Sequence, residues 1–161
     1  MKKLFFVASM MLMATIASAQ TGKSIYNKYS DEADVSAVFI SPAMFRLIGN
    51  IPDLPIKDTD VNISSVIKNL SGFYLISSEN RQVNASLRKD VDRMLDDGKF
   101  ELLMETKDNG EIMRMYAVGD KETVTNFVMM VTEDDECVFL TLEGKMSRDE
   151  LDKILSSAME E

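Results

Sequence analysis

Between residues 99 and 146 the chain alternates apolar and polar positions in four short runs, each closed by a polar turn. A period of two predicts β-strands with one face apolar. In residues 99–106, Phe100, Leu102 and Met104 alternate with Glu101, Leu103 and Glu105, which sets both glutamates on one face. Asp108-Asn109-Gly110 follows, and Asn-Gly supplies the positive-φ pair that a tight hairpin needs. Residues 111–118 put Met113, Met115 and Ala117 on one face and Ile112, Arg114, Tyr116 and Val118 on the other. After the turn at 119–122, residues 124–131 are apolar on both faces, as a strand inside a sheet requires. The last run, 137–143, points Val138, Leu140 and Leu142 one way, and Gly144 is the expected stop.

At Ser147 the period changes. Ser147-Arg148-Asp149-Glu150 reads as a capping box. Leu151, Ile154, Leu155 and Ala158 then recur on one helical face.

The earlier part of the chain mixes both periods. Residues 21–31 predict a first helix with Ile25 and Tyr29 on one side. Residues 35–40 are β-branched and aromatic and predict a strand. Ser41-Pro42 predicts a helix start, with Met44, Leu47 and Ile48 as its core face and Gly49 as its stop. Residues 50–61 carry Pro52, Pro55 and three aspartates and predict a loop. Residues 62–70 predict a helix, 72–77 a strand, and Ser77 or Ser78 caps a long helix to Asp97. Its stripe is Val83, Leu87, Val91, Met94 and Leu95, and Gly98 ends it. Helices and strands are partly segregated. The expected class is α+β: a mainly antiparallel sheet with a C-terminal four-stranded meander, and helices packed on one face. A ferredoxin-like split is one way for the two early strands to join the meander.

Residues 1–19 predict a signal peptide rather than part of the fold. Met1-Lys2-Lys3 is a short basic start, residues 4–17 are apolar, and Ala17-Ser18-Ala19 is a small-x-small cleavage site. The apolar run is too short for a membrane anchor. Cleavage after Ala19 leaves residues 20–161 as one domain, exported to the periplasm or beyond. The leader takes two lysines and no acid with it, so the net charge of −9 falls to −11. So acidic a surface disfavours nucleic acid and anionic headgroups. Cys137 is the single cysteine, which rules out an internal disulfide and fits a small packing residue.

Four segments together resemble a known family. They are Val-x-x-Val-Phe-Ile-Ser-Pro-x-Met at 35–44, Leu-Ser-Gly-Phe-Tyr-Leu-Ile at 70–76, Phe-Glu-Leu-Leu-Met at 100–104, and Val-Phe-Leu-Thr-Leu-Glu-Gly at 138–144. Behind an exported leader, this pattern is similar to the bacterial exported proteins grouped as domain of unknown function 4252. The resemblance implies an envelope or secreted location. It implies no activity and transfers no site residue.

Chemistry is bounded mainly by what the chain lacks. With no histidine there is no Ser–His or Cys–His mechanism and no imidazole zinc site. Asp92, Asp96 and Asp97, like Glu101 and Glu105, alternate with Lys and Arg as a solvated face does. Asp58-x-Asp60-x-Asn62 opens like a calcium loop, but Ile63 stands where the turn needs Gly and Asn69 where a bidentate Glu belongs. Met113-x-Met115 and Met129-Met130 have thioether spacing that suits Cu(I), and equally the habit of methionine in irregular cores. No catalytic residue, cofactor or metal is expected. The mixed face of the meander, Leu103, Ile112, Arg114, Tyr116, Val118 and Phe139, is the candidate interaction face, unless an early helix covers it. The expected function is a small exported binding module that meets a protein partner in the envelope or a second copy of itself. The alternative is a carrier of a small apolar or metal ligand, and an enzyme comes third.

Overall fold

The computed structural model describes residues 21–49 and 67–159. The leader and the calcium-like loop at 58–62 lie outside these residues. The elements are α1 (Gly22–Tyr29), β1 (Val35–Ile40), α2 (Pro42–Gly49), β2 (Leu70–Ser78), α3 (Arg81–Leu95), β3 (Glu101–Asp108), β4 (Glu111–Gly119), β5 (Thr123–Thr132), β6 (Cys137–Ser147) and α4 (Arg148–Met159). The six strands form one sheet in the order β1-β2-β6-β5-β4-β3, with every neighbouring pair antiparallel. The α+β class and the meander are as expected. The early strands join through β2 against β6, which is not a ferredoxin-like split.

Local chemistry explains most of the element ends. Thr21 and Ser24 form a capping box at the start of α1. Asn80, not a serine, caps α3, accepting from the amides of Gln82 and Val83 at 3.0 and 3.3 Å. Asn109 and Gly110 both take positive φ, 46° and 98°, and close the β3–β4 hairpin. Gly144 does not end its strand, because β6 continues to Ser147. Its φ of 136° and the carbonyl oxygen of Asn69, 2.4 Å from where a Cβ would stand, explain the glycine as a close approach of two backbones. Leu70 begins β2 instead of ending a helix; Ile67 and Lys68 are helical just before it.

The helices do not share one face. Ile25 and Tyr29 of α1 and Val83, Leu87, Val91 and Met94 of α3 pack on Ile76, Val128, Met130, Cys137 and Phe139. Phe45 of α2 and Leu151 of α4 pack in a second cluster with Met115, Ala117, Val124, Phe127 and Met146. The reason lies in β5 and β6, which are apolar on both sides, so both faces of the sheet must be shielded. In α2 the residue facing the sheet is Phe45, 5% exposed, while Met44 and Leu47 point outward at 48% and 66%. No helix of the described residues is long and apolar enough to cross a membrane.

Candidate functional site

The six residues suggested for an interaction face can be placed by register. Ala37, Ile76, Phe139, Met130, Arg114 and Glu105 are successive cross-strand partners, one row across all six strands. The row changes character along its length. Ile76 and Phe139 are fully buried against α3, whereas Arg114 is half-buried and donates from Nε to Glu105 at 2.6 Å. Lys107 pairs with the same carboxylate at 2.8 Å. Hydrogen bonds from Lys107 and then Arg114 hold the Glu105 carboxyl below its ordinary value. Ile112, Tyr116 and Val118 are half-buried on the same side of β4. Leu103 stands in a β3 bulge, 36% exposed. Phe139 is therefore closed to any partner. The α3 stripe has to settle on one face of the sheet, and Ile76, Val128 and Phe139 provide it.

The same bulge corrects the reading of β3. Leu102 pairs with Tyr116 and Met104 with Met115, so the two fall on opposite faces of the sheet. Glu101 and Glu105 are likewise separated. Glu101 binds Arg148 at 3.0 Å and Glu105 binds Arg114, so the pair faces no common cleft.

Over β2, β6 and β5 the α2/α4 face is the less closely covered of the two. Val38, Leu75, Leu140, Met129, Met115 and Met104 are successive partners across it. Ser77, Val138, Val131 and Met113 run beside them. Met115 is buried, but Leu75, Leu140, Met129, Met104, Val138, Val131 and Met113 are only half-buried, and Val38 is 44% exposed. The corresponding centre of the α1/α3 face lies between 0% and 7%. Among the described residues, α2 and α4 cover this methionine-rich apolar face only in part. Beside the Met113–Val131 end, Asp108, Glu111, Glu133, Asp134 and Asp135 ring a shallow depression between two turns. Local desolvation, then a hydrogen bond with Glu111 and the charges of Glu111, Glu136 and Asp134, raise the Glu133 carboxyl above its ordinary value.

Residues 29–154, more than three quarters of the chain, match the family described as Domain of unknown function (DUF4252). The chain belongs to this family. No curated protein and no solved structure matches it. The DUF4252 match spans all six strands, so both sheet faces fall inside the family's domain.

Two polar groups of this DUF4252 domain escaped the sequence reading. Asp90 on α3, 4% exposed, accepts from Lys28 at 2.5 Å, from the Tyr29 hydroxyl at 2.6 Å and from Arg93 at 3.1 Å. Burial pushes its carboxyl up, and the hydrogen bonds from Lys28 and Tyr29 more than reverse this, leaving it below the usual carboxylate range. The cluster fastens α1 to α3. Its signal was an acid at the inner spacing of an apolar stripe, three residues after Leu87. Glu143 is the other. With Val118 and Asn126 it floors a cavity of about 250 Å³ between the start of α1 and the end of α3. Half-burial raises its carboxyl, opposed by the Lys23 amide. Its signal was an acid in the alternation Cys137, Phe139, Thr141.

The methionines divide. Met113, Met115, Met129 and Met104 share the α2/α4 face, while Met130 is buried beneath α3. Cys137 is fully buried, and its thiol is raised by burial, with Arg88 opposing. Among the described residues no three His, Cys, Asp or Glu side chains are grouped to hold a metal.

Proposed function

We propose that this domain is a small exported binding module of the bacterial cell envelope, without catalysis, that holds a protein partner on its α2/α4 face. The observation that carries the reading is the contrast between the two faces. Over β2, β6 and β5 the α1/α3 face is buried at Ile76, Phe139, Val128 and Met130, and the other leaves Leu75, Leu140 and Met129 half-buried in one row, with Met113 beside them. Methionine side chains are flexible and polarisable, and they serve partner surfaces that must mould to what they meet. Asp135 is ion-paired with Arg81, and the other four carboxylates of the two turns beside Met113, Asp108, Glu111, Glu133 and Asp134, favour a partner segment with basic residues next to its apolar ones.

Site-specific photocrosslinking in cells tests this. A photoreactive residue at Leu140 or Val131 should capture one dominant protein. The same residue at Lys89, exposed on α3, should not. Leu140→Ser should then weaken binding of that purified protein at least about tenfold while the far-ultraviolet spectrum is unchanged. Equal labelling from Lys89, or no specific product from either face position, would remove the proposal.

A second reading, a carrier of Cu(I), is favoured by one observation. Met104, Met115 and Met129 are direct cross-strand neighbours, with Met113 on the same face. Thioethers are soft ligands suited to Cu(I). Competition against a colourimetric Cu(I) chelator decides it, with Met113→Leu/Met129→Leu as the packing-neutral control.

A further inference from the structure

The sheet has two edges, and the chain treats them differently. β3 carries Glu101, Glu105, Lys107 and Asp108, and a bulge breaks its register after Leu102. Charges and bulges are the devices that keep an edge from accepting another strand. β1 has neither. Residues Val35–Ile40 contain no charge and no proline and pair with β2 over six consecutive residues without a shift. Among the described residues no strand flanks the outer side of β1, so a ladder of backbone donors and acceptors faces outward there. The apolar side chains concentrate there too. Of the six large apolar residues exposed among the described residues, Val38, Phe39, Met44 and Leu47 lie on β1 and the helix that follows it.

We infer that β1 is a dimerisation edge, where β1 of a second copy pairs antiparallel and joins two six-stranded sheets across a two-fold axis. Charge complementarity selects a second copy in this orientation. Asp31, Glu32 and Asp34 precede β1, and Arg46, the only charged residue of α2, follows it. Antiparallel pairing lays the acidic end of each strand towards the Arg46 end of the other, whereas parallel pairing sets like against like. Volume agrees. An axis at Val38 keeps each residue on its own sheet face and places Phe39 of one copy opposite Ala37 of the other, and Ile40 opposite Ser36. A two-fold contact of this kind is self-complementary and closes at two copies, so it does not propagate into a fibre. For a chain of net charge −9, an uncharged edge is also where two copies repel least.

Two measurements on the protein as it accumulates in cells test the inference. The first is sedimentation equilibrium between about 1 and 200 μM. The wild type should move from monomer to dimer and stop there, and Val38→Lys, a charge on the edge, should shift the midpoint at least tenfold upward. Phe39→Lys, on the opposite face, should do the same, so the test survives if one variant fails to fold. The second is oxidation of Val38→Cys against Leu103→Cys on the other edge. Cys137 is fully buried and silent. Directly opposed residues of antiparallel strands come near enough for a disulfide. Val38→Cys should form the covalent dimer at least about ten times faster. A wild type that stays monomeric throughout the range, association beyond the dimer, or equal crosslinking from both positions would overturn the inference. A failure of the proposed partner face leaves these outcomes unaffected, because the edge and the face are read separately.

Discussion

Gly22→Ala is the sharpest test of how α1 is seated. Gly22 is buried at the first position of α1, directly over Thr141 of β6. A Cβ added there would stand 2.2 Å from the Thr141 Cγ2 and 3.2 Å from its Cβ and Oγ1. Carbon atoms pack at roughly 3.5–4.0 Å, so more than about 1 Å must be found. Thr141 cannot yield easily, being β-branched and 1% exposed. Lifting α1 instead would loosen Ile25, which is fully buried, and stretch the 2.6 Å hydrogen bond from Tyr29 to Asp90. Overpacking of this kind costs about 1–3 kcal/mol. Alanine's better helix propensity returns up to about 1 kcal/mol in a helix interior, and less in a first turn.

The expected net loss is therefore about 1–2 kcal/mol, read as a lower urea midpoint at unchanged slope. Thr141→Ser removes the offending methyl. The double variant Gly22→Ala/Thr141→Ser should recover most of the loss, a coupling of about 1 kcal/mol or more in a double-mutant cycle. Gly22→Ala as stable as the wild type, or strictly additive effects, would refute the close approach of α1 to β6.

Two further predictions concern charge. Asp90→Ala leaves the Tyr29 hydroxyl, on a residue 3% exposed, without its acceptor and should cost about 2–3 kcal/mol at neutral pH. Because the folded carboxyl lies below its ordinary value, the stability it contributes is fully present above the unfolded pKa, about 3.9, and is lost as pH falls through the folded value. The stability gap between the two proteins should therefore narrow as pH falls below the ordinary carboxylate range, leaving the part due to the unpaired Tyr29 hydroxyl, and a gap that does not change with pH would sink the assignment. Glu133 has the opposite sign. Its folded carboxyl is raised, so ionising it opposes folding at neutral pH and not below the ordinary carboxylate range. Glu133→Gln should raise the urea midpoint at pH 7 and leave it unchanged near pH 3. A lower midpoint at pH 7 would show that the acidic turns are not crowded.

What could be read from the chain divides by period. The α3 stripe and the turns of the meander were plain, since each rests on spacing or on a residue with special backbone freedom. Which face each helix would take was not. In β6, Cys137 and Phe139 are as apolar as Val138 and Leu140, so alternation alone could not tell the closely covered side from the other. The half-buried residues of β4 proposed from the sequence, Ile112, Arg114, Tyr116 and Val118, and the half-buried row through Leu75, Leu140 and Met129 are consequently on opposite sides of the sheet, and of the proposed six only Phe139 is closed off. The α2 stripe failed for a related reason. Over eight residues, Met44, Leu47 and Ile48 keep as good a helical spacing as Phe45 does alone, and only docking against β2 singles out the phenylalanine. The β3 bulge shifts Met104 from the face of Leu102 to the other, and no residue in the strand announces it.

The α2/α4 face and the β1 edge meet at Val38, and this ties the two proposals to one experiment. The Val38-to-Met104 row crosses six strands, five spacings of about 4.8 Å, or roughly 24 Å. An antiparallel dimer at β1 would set two such rows end to end on one continuous surface, since the two-fold axis keeps each face on its own side. A partner segment that spans both copies would bind the dimer more tightly than twice the monomer, because the second contact is intramolecular. Val38→Lys should then weaken partner binding as well as dimerisation, although Leu140 is untouched. If Val38→Lys abolishes the dimer and the partner still binds with unchanged affinity, each copy acts alone and the edge serves assembly only. If Leu140→Ser loses the partner while the dimer persists, the face is the binding surface and the edge merely pairs two of them.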